Sequence, residues 1–316
     1  MKGIGIKEYG GKAVLEEVSF PTPPLASDEV LIEVKASGVN PVDWKIREGY
    51  LKDSLPYELP LILGLDVSGI VKAIGDQVQN FQIGDEVYSR PDIHQHGSYA
   101  DEIIVKERLV ARKPKNISFE EAASLPLVFL TAWQALVDAA RVKEGQKVLI
   151  HGGSGGIGTI AIQIAKALGA TVATTTSKKN TSFVSSLGAD IAIAYDEEDF
   201  SQVLNSYDVV FDTLGGQILL DSYKILKVGG KLVSIFGGPD DPLPHSDLAN
   251  KKQVSSKYVF TDPNGRQLDI LTQYIEAKKL HPVVSHILPL TVDGVREAHR
   301  LSMTERVKGK IVLSTI

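Results

Sequence analysis

The most constraining feature of the chain is a run of glycines between a short apolar segment and a long segment of helical periodicity. In "KVLIHGGSGGIGTIAIQIAKALGA", Lys147 to Ala170, five glycines fall within seven residues. The segment before the glycines has the composition of a buried strand. After them, apolar residues recur from Ile157 onward at the spacing of one helix face. A strand that turns this tightly into a helix predicts an α/β fold with a parallel sheet.

The glycines follow the pattern Gly-x-Gly-x-x-Gly at Gly153, Gly155 and Gly158. Glycine at these places permits the tight bend, the approach of a pyrophosphate to the backbone, and close packing of helix on strand. The helix that follows offers free N–H groups and the positive end of its dipole to the anion. The spacing therefore predicts a dinucleotide site. A purely structural tight turn is the alternative.

The same letters also match the nucleophile elbow of the α/β hydrolases, at Gly152, Ser154 and Gly156. In those enzymes the oxyanion-hole motif lies on a separate, earlier loop rather than inside the elbow. A hydrolase also has no need of a glycine at Gly158. The pattern therefore favours a dinucleotide over a serine nucleophile.

The end of the next strand indicates which dinucleotide is bound. Selectivity for NAD usually needs an acidic residue about 20 positions after the turn, and residues 170–180 contain no Asp or Glu. Ser177, Lys178 and Lys179 instead offer a hydroxyl and two cations, which suit the 2′-phosphate of NADPH. The alternative is a solvated helix start with two ordinary surface lysines.

The flanking sequence predicts two domains. Residues 1–124 are rich in short strands broken by glycine and proline, which indicates a small barrel or sandwich. From about residue 125, strands alternate with helical segments, as in a doubly wound parallel sheet. We assign residues 125–266 to the domain built on this sheet. Residues 267–316, in which we predict one helix and short strands, are assigned to the first domain together with residues 1–124. The predicted strands of the sheet are Lys147–His151, Thr171–Thr175, Ile191–Tyr195, Asp208–Asp212, Lys231–Phe236 and Lys257–Phe260.

Composition excludes several classes of function. The 316 residues contain no cysteine, which rules out disulfides, thiolate nucleophiles and cysteine-ligated zinc. The net charge is -5 and there is no basic block, so we expect no nucleic-acid partner. No apolar run has the length of a membrane span, and the first residues lack the pattern of a secretory leader. These features predict a cytoplasmic protein with no membrane contact.

Further motifs connect the chain to a known family. They are "GVNPVDWKIREG", "LPLILGLDVSGIV", "FQIGDEVY", "EEAASLPLVFLTAW" and "GKIVL". Together with the glycine turn, they resemble the medium-chain dehydrogenase/reductase superfamily. The chain is most similar to its zinc-independent quinone oxidoreductase branch, the zeta-crystallin-like proteins, and within it to enone and alkenal oxidoreductases. The resemblance implies a GroES-like catalytic domain, split in sequence around a Rossmann domain that binds NADPH.

Departures from the zinc alcohol dehydrogenases of this superfamily bear on the chemistry. Those enzymes carry a cysteine ligand where this chain has Asn40, and a histidine where it has Leu65. Leucine cannot bind a metal, so we predict no metal site; His94 and His96 are expected in a polar loop. Without a Lewis acid, a conjugated acceptor is easier to reduce than a simple ketone. The resemblance thus implies hydride transfer to a quinone or an α,β-unsaturated carbonyl, an enone or alkenal.

The resemblance also implies roles for individual residues. Asn40, Lys45 and Thr131 are expected at the nicotinamide and the substrate, although Asn40 before proline is also a turn former and Lys45 is also a plausible surface lysine. We expect Asp66 to pair with Lys45 or Arg47. The remaining cofactor contacts are expected at Gly156 and Ile157 on the pyrophosphate, Ser177, Lys178 and Lys179 on the 2′-phosphate, Tyr195 on the adenosine side, Phe236 and Gly237 along the nicotinamide, and Arg306 and Val307 near the C-terminus.

Three questions stay open at this stage. The proton donor is either solvent or one of Tyr50, Tyr88 and Tyr99, which are expected in loops. A non-catalytic NADPH-binding or sensor protein of the same fold is the alternative to an enzyme, and a zinc-type alcohol dehydrogenase is less favoured. The family commonly forms homodimers by pairing the edge strands of two Rossmann sheets. Here that edge would be Lys257–Thr261, so we predict a two-fold homodimer, although the resemblance does not separate a dimer from a tetramer.

Overall fold

The computed structural model describes residues 1–237, 243–244 and 246–315. The strands of the described residues are β1 (Lys2–Ile6), β2 (Glu16–Ser19), β3 (Glu29–Val39), β4 (Leu61–Ile62), β5 (Val67–Ile74), β6 (Glu86–Ser89), β7 (Glu102–Lys106), β8 (Val110–Arg112), β9 (Lys147–Ile150), β10 (Thr171–Thr176), β11 (Ile191–Ala194), β12 (Tyr207–Asp212), β13 (Leu226–Ser234), β14 (Ser255–Tyr258), β15 (Val284–Pro289) and β16 (Lys310–Ser314).

The helices are α1 (Pro41–Arg47), α2 (Phe119–Ala123), α3 (Pro126–Trp133), α4 (Gly156–Ala167), α5 (Thr181–Ser186), α6 (Phe200–Val203), α7 (Gly216–Ile225), α8 (Asp247–Lys251), α9 (Gly265–Glu276) and α10 (Val292–Ser302). A π-helical turn, Gln134–Ala139, continues α3. In the described ranges, none of these helices is both long and apolar enough to cross a membrane.

The chain forms two compact units. Unit 1 comprises Met1–Leu127 and Pro263–Ile316, and unit 2 comprises Val128–Asp262. Two separate segments of sequence therefore build unit 1, and one continuous segment builds unit 2.

Unit 1 is built around the long strand β3. Buried Val30, Ile32 and Val34 alternate along it with partly exposed residues, which is the period of a strand with one face on a core. The larger sheet of unit 1 has the order β15-β16-β3-β5-β6-β8, and β7 also pairs with β3. A smaller sheet has the order β2-β1-β4. This β-rich unit is the one for which the resemblance implies a GroES-like fold.

Unit 2 is a six-stranded sheet with the order β11-β10-β9-β12-β13-β14, in which every neighbouring pair is parallel. The first strand of the unit, β9, thus lies near the middle, where the strand order reverses. Val148, Leu149 and Ile150 on it are fully buried, because helices cover both faces of such a sheet. The doubly wound sheet expected from the sequence is confirmed. Ligands of such folds bind at the carboxyl ends of the strands, at this reversal.

The C-terminal segment differs from the sequence-based expectation. It contains two helices, α9 and α10, where one was predicted. Thr291 caps α10 by accepting a hydrogen bond from Gly294 N at 3.2 Å. Val295 and Ala298 of this helix are buried in the core shared with β1 and β4. The buried face of α10 also includes His299, whose polar side chain weakens the apolar pattern in the sequence.

Candidate active site

The glycine turn after β9 is packed so closely that side chains are excluded at two of its positions. A Cβ on Gly158 would lie 2.2 Å from Gly152 O, and one on Gly153 would lie 2.1 Å from Thr174 Oγ1. At Gly155 the nearest atom to such a Cβ would be 3.4 Å away. The first and third glycines of the pattern therefore serve packing, and the middle one leaves the backbone open to a ligand.

Helix α4 begins directly at this turn without a side-chain cap. Its N-cap is Gly155, and its first backbone hydrogen bond runs from Thr159 N to Gly155 O at 3.0 Å. The N–H groups of Gly156, Ile157 and Gly158 therefore have no acceptor within the helix. These donors and the positive end of the helix dipole make a site that fits a pyrophosphate.

Ser154 in this turn lacks the partner that a nucleophile needs. Its Oγ accepts a hydrogen bond from Thr176 Oγ1 at 3.1 Å and one from Asn180 Nδ2 at 3.3 Å. His151 directs its Nε2 at Ser222 Oγ, 2.9 Å away, and burial lowers its pKa to about 3. No histidine in the described residues is bonded to Ser154, so the geometry does not support a hydrolase.

The end of β10 separates the two predicted phosphate lysines. The Lys178 ammonium forms an ion pair with Glu197 at 2.7 Å, and this hydrogen bond raises its pKa. Lys178 N also donates to Asp196 Oδ1 at 2.8 Å. The exposed Lys179 has no acidic partner among the residues that the structure describes. Ser177, which is buried, precedes both. Lys179 is therefore the cation that is available to an anionic ligand.

Three more predicted cofactor residues lie at the same edge of the sheet of unit 2. Tyr195 follows β11, and its backbone N–H bonds to Thr176 O at 3.0 Å. Phe236 and Gly237 follow β13, and the side chains of Tyr195 and Phe236 are 54% and 49% exposed. Because the strands are parallel, their carboxyl ends lie on the side of the glycine turn. The structure thus brings these residues to the edge where the fold binds ligands.

Thr131 lies on α3 and is 2% exposed. Its Oγ1 is 2.6 Å from Thr261 Oγ1, just beyond β14. Three residues later, the Gln134 side chain exchanges two hydrogen bonds with the backbone of Asp262, at 2.8 and 2.9 Å. These contacts fix α3 against the segment that follows the edge strand.

In unit 1, Asn40 belongs to a buried polar network. It is 1% exposed, and its Nδ2 donates to Asp66 Oδ2 at 2.8 Å. The Lys310 ammonium donates to Asn40 Oδ1 at 2.5 Å and lies 3.3 Å from Asp66 Oδ2. Leu127 N donates to the other oxygen of Asp66 at 2.7 Å. Asp66 was expected to pair with Lys45 or Arg47, and this was wrong: its partner is Lys310.

The two candidate partners are engaged elsewhere. The Lys45 ammonium lies 5.7 Å from the centre of the Trp44 ring, on the partly exposed side of α1. Arg47 is buried, and its guanidinium contacts Gly10 O at 3.1 Å and His299 Nδ1 at 3.1 Å. It also forms an ion pair with the neighbouring Glu48. The contacts of the Asp66 carboxylate are instead with Asn40 Nδ2, Leu127 N and Lys310 Nζ.

Burial raises the pKa values of both carboxyl groups of this network. That of Asp43 rises to about 7, although the Asn40 backbone N–H at 2.8 Å and the Tyr99 hydroxyl at 2.7 Å stabilise its anion. Burial also raises the pKa of Asp66, and Lys310 and Asn40 oppose that rise. Burial in unit 1 thus disfavours the anionic forms of these two carboxyl groups more than the neighbouring donors and charges favour them.

Two of the three candidate proton-donor tyrosines are excluded by their positions. Tyr88 is fully buried in β6, not in a loop, and its hydroxyl bonds to Leu268 O at 2.7 Å and to Thr272 Oγ1 at 3.0 Å. Tyr99 is fully buried, and desolvation raises its pKa well above the ordinary value. Tyr50 is 67% exposed. Buried phenols held in this way cannot release protons at neutral pH.

Arg306 and Val307 lie in the turn before β16. Arg306 is exposed, and its backbone N–H bonds to Thr304 Oγ1 at 3.3 Å. Val307 is half-buried against the core of β1 and β4. The structure thus places these two residues in unit 1, three and four positions before Lys310.

The polar loop with the two histidines is partly packed rather than fully solvated. His96 stacks on Phe20 with ring centroids 4.2 Å apart, and burial lowers its pKa. His94 is exposed. In the described ranges, no group of three or more His, Asp or Glu side chains is placed to hold a metal ion.

Sequence reasoning missed two residues that organise these regions. Lys310 is the cation of the buried network in unit 1, and only its place in "GKIVL" pointed to it. Asp212, at the end of β12, accepts hydrogen bonds from Gly215 N at 3.0 Å and Ser234 Oγ at 2.7 Å. It thereby ties the loop after β12 to the end of β13. A lone acidic residue at the end of an apolar strand was its signal.

Comparison with known proteins places the chain in a family. Residues 26–115 match the family described as alcohol dehydrogenase GroES-like domain, and residues 187–313 match the family described as zinc-binding dehydrogenase. A 2-methylene-furan-3-one reductase of Solanum lycopersicum is 38% identical over 100% of this chain and 79% of its own length. The chain belongs to the medium-chain dehydrogenase/reductase superfamily.

Two further members of the medium-chain dehydrogenase/reductase superfamily cover the whole chain. A chloroplastic NADPH-dependent alkenal/one oxidoreductase of Arabidopsis thaliana is 38% identical over 100% of this chain and 80% of its own length. The solved structure of a quinone oxidoreductase from Coxiella burnetii matches with a TM-score of 0.89 and 36% identity, covering 100% of this chain and 99% of that one. The resemblance expected from the sequence motifs is thus confirmed.

Proposed function

We propose that this protein is an NADPH-dependent oxidoreductase that transfers hydride to a quinone or to an α,β-unsaturated carbonyl compound, without zinc. The observation that carries the proposal is the glycine turn of unit 2. There, open Gly155 and the uncapped start of α4 lie beside the strand end that presents Lys179. The names of the relatives, a 2-methylene-furan-3-one reductase, an alkenal/one oxidoreductase and a quinone oxidoreductase, support the acceptor class.

In this proposal the edge of unit 2 holds the cofactor. NADPH supplies the hydride when bound, and the protein supplies orientation and electrostatics. Gly153 and Gly158 shape the turn, Gly155, Gly156 and Ile157 bind the pyrophosphate, Ser177 and Lys179 bind the 2′-phosphate with Lys178 nearby, and Tyr195, Phe236 and Gly237 line the rest of the site. Unit 2 is then the NADP-binding domain and unit 1 the catalytic domain.

The nicotinamide half of the cofactor and the acceptor are assigned to the remaining predicted residues. Lys45 and Thr131 position the cofactor, Asn40 serves the acceptor, and Arg306 and Val307 supply a late cofactor contact. Of these, Asn40 has the most constrained side chain, since both ends of its amide are bonded within unit 1. We propose water as the proton source, since Tyr88 and Tyr99 are fully buried, and Tyr50, which is 67% exposed, remains the side-chain alternative.

A reaction without zinc is supported by the donor set of unit 1. Leu65 has no ligand atom, and the oxygens of Asn40 and Asp66 are already bonded to the Lys310 ammonium. A dication would have to displace this ammonium to reach them. We expect elemental analysis of the purified protein to find no stoichiometric zinc, and chelators to leave turnover unchanged. One tightly bound zinc per chain would contradict this.

The experiment that tests the function is the oxidation of NADPH and NADH with a panel of quinones, enones and alkenals. We expect turnover with at least one acceptor class and a clear preference for NADPH. Tight NADPH binding without turnover of any acceptor would favour the alternative, a non-catalytic NADPH-binding or sensor protein. Equal use of both cofactors would contradict the assignment of the 2′-phosphate site.

We further propose a homodimer formed through the edge of unit 2. Strand β14 is the last strand of the sheet and pairs only with β13 among the described strands. No described strand pairs with its outer side, and the neighbouring Phe260 is 54% exposed, so this edge is open to a partner strand as far as the described residues go. Two copies of this edge can pair about a two-fold axis. Light scattering should give the mass of two chains, and a one-chain mass at every concentration would contradict it.

We propose a cytoplasmic location, supported by the acidic, cysteine-free composition. The alkenal/one oxidoreductase relative is chloroplastic, so fractionation of the native cells is the decisive measurement. Recovery of the protein in an organelle fraction would contradict the proposal.

A further inference from the structure

The Lys310 ammonium is nearly enclosed in unit 1, with 5% of the residue exposed. Its Nζ donates to three acceptors, which are Val39 O at 2.8 Å, Asn40 Oδ1 at 2.5 Å and Asp66 Oδ2 at 3.3 Å. An ammonium has three N–H donors and no acceptor. Every donor of Lys310 therefore has a partner, and the residue has one defined position.

This arrangement dictates how the Asn40 amide must face. Only the amide oxygen can accept from Lys310, and only the amide nitrogen can donate to the Asp66 carboxylate. Asp66 is itself fixed, because Leu127 N donates to its other oxygen at 2.7 Å. A flipped amide would set nitrogen against ammonium and oxygen against carboxylate, which both charges oppose.

With Oδ1 occupied by Lys310 and one N–H occupied by Asp66, a single N–H of the Asn40 side chain remains. Within the described residues it has no acceptor. A nearly buried N–H without a partner is uncommon in folded proteins and calls for a role. The only group that Asn40 can offer to a ligand is thus one hydrogen-bond donor in a fixed orientation.

We propose that Lys310 and Asp66 are positioning residues that lock the Asn40 amide, so that its remaining N–H donates to the carbonyl oxygen of the acceptor. The role rests on the proposed function. When the β-carbon of an enone gains hydride, the C=C electron pair shifts toward the carbonyl and leaves an enolate oxygen. A proton from water then forms the C–H bond at the α-carbon. A donor held at the oxygen stabilises the charge that develops there.

Lys310 and Asp66 fix the orientation of the Asn40 amide through their opposite charges, so replacing both by neutral residues tests the proposal. Lys310→Met alone would leave the buried Asp66 without its cation and should destabilise the fold. Lys310→Met combined with Asp66→Asn removes both charges. The new amide at position 66 can donate or accept, so it no longer dictates the orientation of Asn40.

We expect the double variant to melt close to the wild type and to bind NADPH with unchanged affinity, measured by the fluorescence of the bound cofactor. Its kcat for an enone should fall about tenfold or more, since removal of one such donor costs about 100-fold or more in enzymes that stabilise an oxyanion. The single variant Lys310→Arg keeps a cation that can only donate hydrogen bonds, so it should retain most of the kcat that the double variant loses. The matched control is Lys7→Met combined with Glu16→Gln, which neutralises an exposed ion pair. It should change neither the melting temperature, nor the NADPH affinity, nor kcat.

A second variant keeps the test decisive if the double variant does not fold. Asn40→Ala leaves the Lys310 and Asp66 pair in place and removes the N–H, so kcat should fall by a similar factor while NADPH affinity is kept. Wild-type kcat in Asn40→Ala, or in a folded double variant, would overturn the positioning role. A fall in NADPH affinity as large as the fall in kcat would also overturn the positioning role. A wild-type protein that reduces no acceptor would instead count against the proposed function.

Discussion

Replacement of Lys179 by methionine should weaken the binding of NADPH far more than that of NADH. Only NADPH carries the 2′-phosphate, and the Lys179 ammonium has no acidic partner in the part of the chain that the structure describes. A hydrogen bond to a charged group contributes about 1.5–3 kcal/mol, and each 1.4 kcal/mol is about tenfold in affinity. Because Lys179 is exposed and screened by salt, we expect the lower end, about a tenfold loss.

Lys178 is the matched control for this prediction. Its ammonium already forms an ion pair with Glu197 at 2.7 Å, so a phosphate must compete with a carboxylate for it. Exposed pairs of this kind contribute about 0.2–1 kcal/mol. Lys178→Met should therefore reduce NADPH affinity by only about two- to threefold. Glu197→Gln releases Lys178 and should strengthen NADPH binding by a similar factor.

The assay is a fluorescence titration of each variant with NADPH and with NADH at low and physiological salt. The loss in Lys179→Met should shrink as salt rises, because the interaction is between exposed charges. Equal losses for the two cofactors, or a larger effect of Lys178→Met than of Lys179→Met, would refute the reasoning about which lysine is available.

Three further predictions concern packing, cofactor position and pH. Gly158→Ala places a Cβ 2.2 Å from Gly152 O and should lower the free energy of unfolding by about 1–3 kcal/mol, measured by urea denaturation; unchanged stability would show that the turn can relax. Lys45→Ala should lower kcat by a similar factor for every acceptor, because the proposed role of Lys45 is to position the cofactor. A loss of kcat that varies with acceptor and pH would instead indicate proton donation, and an unchanged kcat would indicate a surface lysine. Burial raises the pKa of Asp43 to about 7, above its value in the unfolded chain, so its contribution to stability is fully present below about pH 4 and is lost as pH rises through 7. Asp43→Asn should therefore flatten the decline in melting temperature between pH 5 and pH 8, and an unaltered decline would exclude Asp43 as its source.

The parts of the structure that the sequence predicted are those specified by short stretches of chain. The strand, glycine turn and helix from Lys147 to Ala167 lie within one run of sequence, and each glycine there answers a local steric need. The edge position of the last strand was implied by the resemblance to the family, and β14 lies at the edge of the observed sheet. Periodicity and turn chemistry carry this kind of information directly.

The buried network of unit 1 was missed because its members are far apart along the chain. Lys310 is 270 residues from Asn40 and 244 from Asp66, and no local pattern records that they meet. The same holds for Tyr88, whose hydroxyl is held by Leu268, 180 residues away, and which had been placed in a loop. Polar partners brought together by tertiary structure leave no periodic signal in the sequence.

The insertion of β16 between β15 and β3 has a consequence for how the protein is made. Ribosomes release the chain from its N-terminus, and unit 2 is complete once Asp262 has emerged. The larger sheet of unit 1 must wait for β16, which pairs with Val39, Gly38, Ser37 and Ala36 of β3. Until then the part of β3 from Ala36 to Val39 lacks this partner strand, and the carboxylate of Asp66 has no cation. The nascent protein thus carries an exposed edge strand through most of its synthesis, and this is the stage at which chaperones would bind it.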